Sequence, residues 1–247
     1  MKYCLLVVMA AVVLTACGGG GDRDAREDGR DPAALEKLAE RGQEIFRDRG
    51  FGEAGIACMD CHADYDESTN TDGRIRAGHP ILGAHRRAQT WNGEFSGDAL
   101  ARTAAGAAKC AWQFQARGQS IESALSADDA AALMAFYEYI SPVDEPPMLN
   151  WTAVTYPGDP DFDEENFKRD LETVEVLRGD AKRGEKVFGM ACAFCHDNGL
   201  GPAQRKLSRK PERVPRTVRA GDDTMPFFSR DKLTDQDVAD LKAFIAR

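Results

Sequence analysis

Two short runs of the sequence share one pattern of reactive residues. Both read C-x-x-C-H, and they comprise Cys58, Cys61 and His62, and then Cys192, Cys195 and His196. Two thiols at this spacing can bond both vinyl groups of one haem, and the adjacent histidine can ligate its iron. The alternatives are a chance cluster and a zinc site, but tetrahedral zinc needs four ligands, and neither run has a second Cys/His pair nearby. The pattern therefore predicts two covalently bound c-type haems.

Length and charge limit the function classes that remain. The chain has 247 residues, which is enough for two domains of roughly 100 residues each. Its composition is that of a globular protein, 43% hydrophobic and 30% charged. The net charge of −9 argues against nucleic acid as a partner, because phosphate binding needs concentrated positive charge.

The N-terminus has the features of an export signal. Residues 1–16 are predicted to form a signal peptide, since the apolar run Leu5–Leu14 is too short to span a bilayer. The residues that end at Cys17 resemble a bacterial lipoprotein box, in which the cysteine is lipidated; an ordinary signal peptide with an incidental cysteine is the alternative. Residues 17–31 then form a flexible tether. We expect an exported protein, lipid-anchored to a membrane facing the periplasm or at the cell surface, and Gly18 favours the outer membrane.

The sequence around each haem motif is repeated. The segment 41–46 upstream of the first motif corresponds to 183–188 upstream of the second. Asp31 and Asp180 are predicted N-caps of the helices that contain these segments. Small residues at the second position of each segment, Gly42 and Gly184, would allow close helix crossing.

The closing segments are repeated as well. Residues 125–136 match residues 233–244, with Ser126 and Thr234 as the predicted N-caps. Each segment has an apolar stripe at i, i+3 and i+4, which is typical of a helix packed on one face.

The order of helix, C-x-x-C-H, loops and closing helix resembles the cytochrome c fold, over residues 32–141 and again over 178–247. The resemblance implies an all-α protein with two tandem cytochrome c domains. Between them, residues 142–177 form a Pro-rich acidic linker. Prolines and clustered like charges disfavour packed structure, so we predict an extended strap for the linker.

The second domain has the residues of an ordinary electron carrier. By resemblance to the family, the carbonyl of Pro202 accepts the hydrogen bond of His196, and Met225 in Thr-Met-Pro-Phe is the distal iron ligand. Methionine ligation raises the reduction potential. The alternative is that Met225 only fills the core.

Basic residues crowd the loop that follows the second motif, residues 205–219. They are Arg205, Lys206, Arg209, Lys210, Arg213, Arg216 and Arg219. A local positive face near a haem is suited to docking an acidic redox protein. The alternative is a solvated loop that faces the acidic linker of the same chain.

The repeat breaks at the first haem. Leu125 lies 63 positions after His62, whereas the corresponding separation in the second unit is 37, and the extra residues contain no methionine. Candidate distal ligands are Cys110, which the other cysteine assignments leave over, and also His79, His85 and Lys109. Two further alternatives are Met148 from the linker and an open site. The segment 80–83 looks like the lengthened counterpart of Gly201-Pro202, which places His79 awkwardly for distal ligation.

A second resemblance concerns residues 80–86, 100–102, Cys110 and 126–141. They resemble the N-terminal haem domain of the thiosulfate dehydrogenase family and the dihaem subunit of the bacterial sulfur-oxidation complex. The resemblance implies that Cys110 ligates a catalytic haem and that arginines hold an anionic sulfur substrate. The candidates for that second role are Arg86, Arg87 and Arg102.

The sequence therefore predicts an exported dihaem cytochrome c that transfers single electrons. The alternative is an oxidoreductase that oxidises a sulfur anion at haem 1 and releases electrons through haem 2. A dihaem peroxidase would need an acid/base residue above an open haem, and no residue marks that role.

Overall fold

The computed structural model describes residues 31–63, 72–141 and 162–247. These residues are mainly helical, as the sequence predicts, and no helix among them is long and apolar enough to cross a bilayer. The predicted signal peptide, Cys17, the tether up to residue 30 and Met148 lie outside the described residues. The helices are α1 (Pro32–Arg47), α2 (Cys58–Cys61), α3 (Asp98–Arg102), α4 (Ala107–Gln115), α5 (Ile121–Ala124), α6 (Ala127–Ile140), α7 (Glu164–Glu175), α8 (Ala181–Ala191), α9 (Ala193–His196), α10 (Gln204–Leu207), α11 (Val214–Ala220) and α12 (Asp235–Ile245). Short 3-10 turns cover Ala84–Arg86 and Pro211–Arg213, and β1 (Gln89–Thr90) pairs antiparallel with β2 (Phe95–Ser96).

The predicted capping residues begin the main helices. The side chain of Asp31 accepts a hydrogen bond from the Ala33 amide at 3.1 Å, and Asp180 accepts from two amides at the start of α8. Ser126 and Thr234 accept from the amides three residues later in α6 and α12. Each cap satisfies an amide that has no partner within its helix, which fixes where the helix starts.

Two helix crossings have the same construction. A Cβ atom on Gly42 would lie 2.1 Å from the Ala132 carbonyl oxygen, and one on Gly184 would lie 2.0 Å from that of Asp240. Backbone of α1 therefore touches backbone of α6, and backbone of α8 touches backbone of α12. Aromatic pairs flank both crossings, Phe46 with Phe136 at 5.3 Å and Phe188 with Phe244 at 5.4 Å between ring centroids.

Each crossing belongs to its own hydrophobic cluster. The first cluster is built from α1, α4 and α6, and the second from α8, α11 and α12. Ala77 lies in the first half of the chain, in the loop that follows α2, but it is buried in the second cluster. The Ile75 amide also donates to the Met190 carbonyl at 3.0 Å. The two halves of the chain are thus in direct contact.

The prediction of an extended strap over the linker is wrong for residues 164–175. These residues form α7, which Asp163 caps through the Asn166 amide at 2.9 Å. Phe167 and Val174 are buried, and they lie seven residues apart on one face that packs against α11 and α12. This apolar face was not recognised in the sequence because acidic residues outnumber the apolar ones in the segment. Residues 142–161, which hold the linker's prolines, lie outside the described residues.

Candidate haem sites

The first C-x-x-C-H run forms one helical turn. The His62 amide donates to the Cys58 carbonyl at 2.8 Å, which closes α2. As a result the side chains of Cys58, Cys61 and His62 all line one largely apolar cavity. A haem bonded at both thiols would lie in this cavity with the imidazole beside its iron.

The His62 ring is held in the form that a metal needs. Its Nδ1 lies 2.6 Å from the His79 carbonyl oxygen, so Nδ1 carries the proton and Nε2 is left for iron. Burial lowers the pKa of His62 to about 4, which keeps the imidazole neutral. Gly78 lets the loop press against the ring, since a Cβ there would lie 2.4 Å from Nδ1.

The second run has the same arrangement. The Nδ1 of His196 lies 2.8 Å from the Pro202 carbonyl oxygen, and a Cβ on Gly201 would lie 3.0 Å from this ring nitrogen. The counterpart of Gly201-Pro202 is therefore Gly78-His79, not the segment 80–83 that the sequence comparison indicated. His79 lies on the proximal side of His62, where its backbone carbonyl is already used.

Cys110 reaches the same cavity as the first attachment run. A tight turn before α4 orients it: Ala104, Ala105 and Gly106 all have positive φ. The indole nitrogen of Trp91 donates to the Gly106 carbonyl at 3.0 Å and holds this turn in place. Burial raises the pKa of the Cys110 thiol to about 12, so metal binding would have to displace its proton.

A half-buried arginine lines the same cavity. Arg87 lines it together with Tyr137, and its guanidinium donates to the Pro80 carbonyl at 2.6 Å. Burial lowers the pKa of Arg87 to about 10, although Tyr137 opposes this effect. A cation in an apolar pocket attracts an anion strongly, because water screens it little.

Gln115 is a further cavity residue that the sequence did not identify. It is buried, its amide nitrogen donates to the Ile56 carbonyl at 2.8 Å, and it lies 3.8 Å from the Cys58 sulfur. Gln115 belongs to no recognisable motif, and Tyr137 was predicted only as part of the apolar stripe of the closing helix, not as a cavity residue. Their position depends on how α4 and α6 pack, which the sequence pattern does not reveal.

The other predicted residues of haem 1 lie elsewhere. His85 and Arg102 line a second cavity beside α6, together with Met134 and Glu138, and Arg86 is exposed. Lys109 forms an ion pair with Glu94, and its ammonium lies 4.6 Å from the centre of the Trp91 ring. Among the predicted arginines, Arg87 is the one that lines the cavity with Cys110.

Met225 sits in a tight turn near the second motif. Its backbone exchanges hydrogen bonds with Asp222 at 2.9 and 3.1 Å, and Gly221 before the turn has φ 74°. The side chain is half-buried and packs against the second hydrophobic cluster, as Cys192 does. Phe188, which belongs to this cluster, has its ring 6.1 Å from that of His196.

The donor sets fit haem. All cysteines in the described ranges, Cys110 among them, are free thiols, so both attachment pairs are available for thioether bonds. Each proximal histidine has one ring nitrogen held by a backbone carbonyl and one left over. Within those ranges no group of three or more His, Cys, Asp or Glu side chains could hold a metal ion by itself.

The basic loop divides into two parts. Arg213, Arg216 and Arg219 pair with Asp222, Glu164 and Asp235 at 3.6, 3.9 and 2.8 Å. The other four side chains are exposed, and no acidic group of the described residues is within ion-pair distance of them. These four, which we call the basic patch, are Arg205, Lys206, Arg209 and Lys210.

Comparison with known proteins gives two matches. A family model described as cytochrome C oxidase, cbb3-type, subunit III matches residues 179–245. Cytochrome c6 of Cyanidioschyzon merolae is 30% identical over 82 residues, which is 29% of this chain and 77% of that protein. No solved structure matches.

Proposed function

The chain belongs to the c-type cytochrome family, and we propose that it is a dihaem member that passes single electrons between two redox partners. The proposal depends on one observation, that both C-x-x-C-H runs hold their histidine in the same way. The Nδ1 of His62 and that of His196 each lie within hydrogen-bond distance of a backbone carbonyl. In both places the preceding residue is a glycine, and a Cβ on it would touch the imidazole ring. The agreement of these two arrangements supports two haems and two tandem domains, residues 32–141 and 178–247.

Each half supplies its own set of haem residues. Cys58 and Cys61 hold haem 1 covalently, with His62 as the proximal ligand. The corresponding residues for haem 2 are Cys192, Cys195 and His196, with Met225 as the distal ligand. The iron, when bound, accepts and releases one electron at a time. The protein sets the potential of that exchange through its ligands and by excluding water.

Cys110 is the distal ligand that we propose for haem 1. It lines the cavity of the attachment cysteines, whereas His85 lines a different one and His79 lies behind the proximal ring. A thiolate donor lowers the potential and a thioether raises it, so electrons entering at haem 1 would move to haem 2.

The oxidation of a sulfur anion at haem 1 is a second candidate function. One observation favours it: Arg87 and Cys110 line the same apolar cavity. Coupling two thiosulfate ions through a sulfur–sulfur bond releases two electrons, which matches two one-electron centres. Arg87 would hold the anion, and Arg86 and Arg102 are less suited because they lie away from the cavity.

We also propose that the protein works outside the cytoplasm, held to a membrane by lipid at Cys17. The lipoprotein-like sequence that ends at Cys17 supports this location. Attachment of haem to C-x-x-C-H runs normally follows export, which supports it independently.

A redox titration tests the dihaem proposal. We expect two resolved one-electron steps, with haem 2 at the higher potential because of its methionine ligand. Met225→His should lower the upper step and leave the lower one in place. A single step for the whole chain, or an upper step that does not respond to Met225→His, would contradict the assignment.

The basic patch is the docking surface that we predict for an acidic partner. Lys206→Glu with Arg209→Glu should lower the rate of electron transfer from haem 2 to an acidic acceptor protein about tenfold at low salt, with a smaller salt dependence. Lys168→Glu with Arg178→Glu changes the net charge equally on other exposed residues and serves as the control. Equal losses in both double variants would show that net charge, not the patch, governs docking.

A further inference from the structure

The two haem-attachment runs are joined by a group of four side chains. Asp60 lies between the cysteines of the first run, and Phe194 lies between those of the second. Arg49 and Arg74 contact both of them. We call Arg49, Asp60, Arg74 and Phe194 the bridge.

On the first side the bridge is an ion pair between the buried carboxylate of Asp60 and the half-exposed side chain of Arg49. The guanidinium of Arg49 donates to both carboxylate oxygens of Asp60, at 2.8 and 3.1 Å. The side chain of Asp60 is only 1% exposed. The Ala57 amide donates to the same carboxylate at 2.9 Å. Arg74 donates to the Asp60 carbonyl at 3.3 Å. A buried carboxylate with this many donors holds its backbone firmly, and hence the turn that carries Cys61.

On the second side the bridge uses an aromatic face. The guanidinium carbon of Arg74 lies 4.0 Å from the centre of the Phe194 ring, and that of Arg49 lies 4.9 Å from it. Both distances are within the range of cation–π attraction. Phe194 is adjacent to Cys195, so the contact fixes the second attachment turn against the first.

Two further contacts beside the bridge also join the two halves of the chain. The Ile75 amide donates to the carbonyl of Met190, two residues before the second run, at 3.0 Å. Pro226 and Phe227, next to Met225, line the cavity of the first attachment run. The haem 1 cavity therefore has a wall made by the ligand loop of haem 2.

From this arrangement we propose that Arg49, Asp60, Arg74 and Phe194 are positioning residues that set the separation of the two haems and so the rate of electron transfer between them. The inference rests on the proposed dihaem function. In this transfer the iron of haem 1 would be oxidised from ferrous to ferric and that of haem 2 reduced from ferric to ferrous, with no bond made or broken. Cys61 and Cys195 each follow a bridge residue directly, so the bridge joins the two attachment turns next to thiols that would bond the haems.

The test is made on the full-length protein carrying its haem. Phe194→Leu with Arg74→Gln removes the π face and one cation, and Phe194→Tyr keeps the π face. The matched control is Arg178→Gln, an exposed arginine outside the bridge. Three quantities are measured: haem per chain, the iron–iron distance distribution by dipolar EPR, and the rate of transfer between haems after flash reduction.

We expect two haems per chain in every variant. In the Phe194→Leu/Arg74→Gln protein the iron–iron distance distribution should broaden and the transfer rate should fall at least tenfold. Phe194→Tyr and Arg178→Gln should behave as the unmodified protein. Two haems with an unchanged distance and rate in the double variant would overturn the bridge and leave the dihaem function intact. One haem per chain in the unmodified protein would instead overturn the dihaem function on which the bridge depends.

Discussion

Replacement of Cys110 by alanine should remove the thiolate signature of haem 1 and leave haem 2 unchanged. The half-buried side chain of Cys110 lines the cavity of the first attachment run, and alanine has no atom that can ligate iron there. We expect the low-spin histidine/thiolate signal to disappear from the EPR and near-infrared magnetic circular dichroism spectra. The lower reduction potential should rise, because a strong electron donor is lost.

The same substitution should lower any thiosulfate-dependent reduction by at least about 100-fold, since even the loss of a residue that only supports a ligand costs 10–100-fold. Trp112→Ala is the control, because Trp112 is on the same helix but is 40% exposed. Cys110→Met should restore six-coordination at a higher potential. If the Cys110→Ala spectrum matches that of the unmodified protein, Cys110 is not a ligand and the sulfur chemistry loses its basis.

Replacement of Gly184 by alanine should destabilise the second half of the protein by about 3 kcal/mol or more. The added methyl carbon would lie 2.0 Å from the Asp240 carbonyl oxygen and 2.8 Å from the Cβ of Phe244. The first of these atoms is backbone, so α8 and α12 would have to separate. Urea denaturation, followed by circular dichroism, measures the change in free energy of unfolding.

Gly189→Ala is the matched control on the same helix. Nothing lies within 4 Å of a Cβ at that position, so alanine should stabilise α8 by about 0.5–1 kcal/mol through its higher helix propensity. Gly42→Ala should reproduce the Gly184 effect in the first half, where the added carbon would meet the Ala132 carbonyl at 2.1 Å. Equal stability of Gly184→Ala and Gly189→Ala would show that the helices do not cross in this way.

Local signals account for the parts of the fold that the sequence predicted. Asp31, Asp180, Ser126 and Thr234 act on amides two or three residues away, so their capping could be predicted from neighbouring residues alone. The crossings could be predicted because each repeated segment has a glycine at its second position, which lets two helices approach closely. Helix α7 was missed since its acidic residues outnumber the few apolar ones that bury its face.

Long-range contacts account for what the sequence could not give. Nothing near Gln115 in the chain indicates that it reaches the Cys58 sulfur, 57 positions away. Arg49 and Arg74 likewise meet at Phe194 only because the two halves pack together. The family resemblance could not distinguish between three candidate anion-binding arginines, Arg86, Arg87 and Arg102. The packing of the loops places Arg87, and not the other two, in the cavity with Cys110.

The number of haems per chain tests the central claim most directly. Intact-mass spectrometry of the denatured protein detects covalent haem, because thioether bonds survive unfolding. We predict the mass of the polypeptide plus two haems, and plus one haem after either Cys58→Ala/Cys61→Ala or Cys192→Ala/Cys195→Ala. A mass that corresponds to one haem in the unmodified protein, retained when Cys58 and Cys61 are replaced, would contradict the dihaem account.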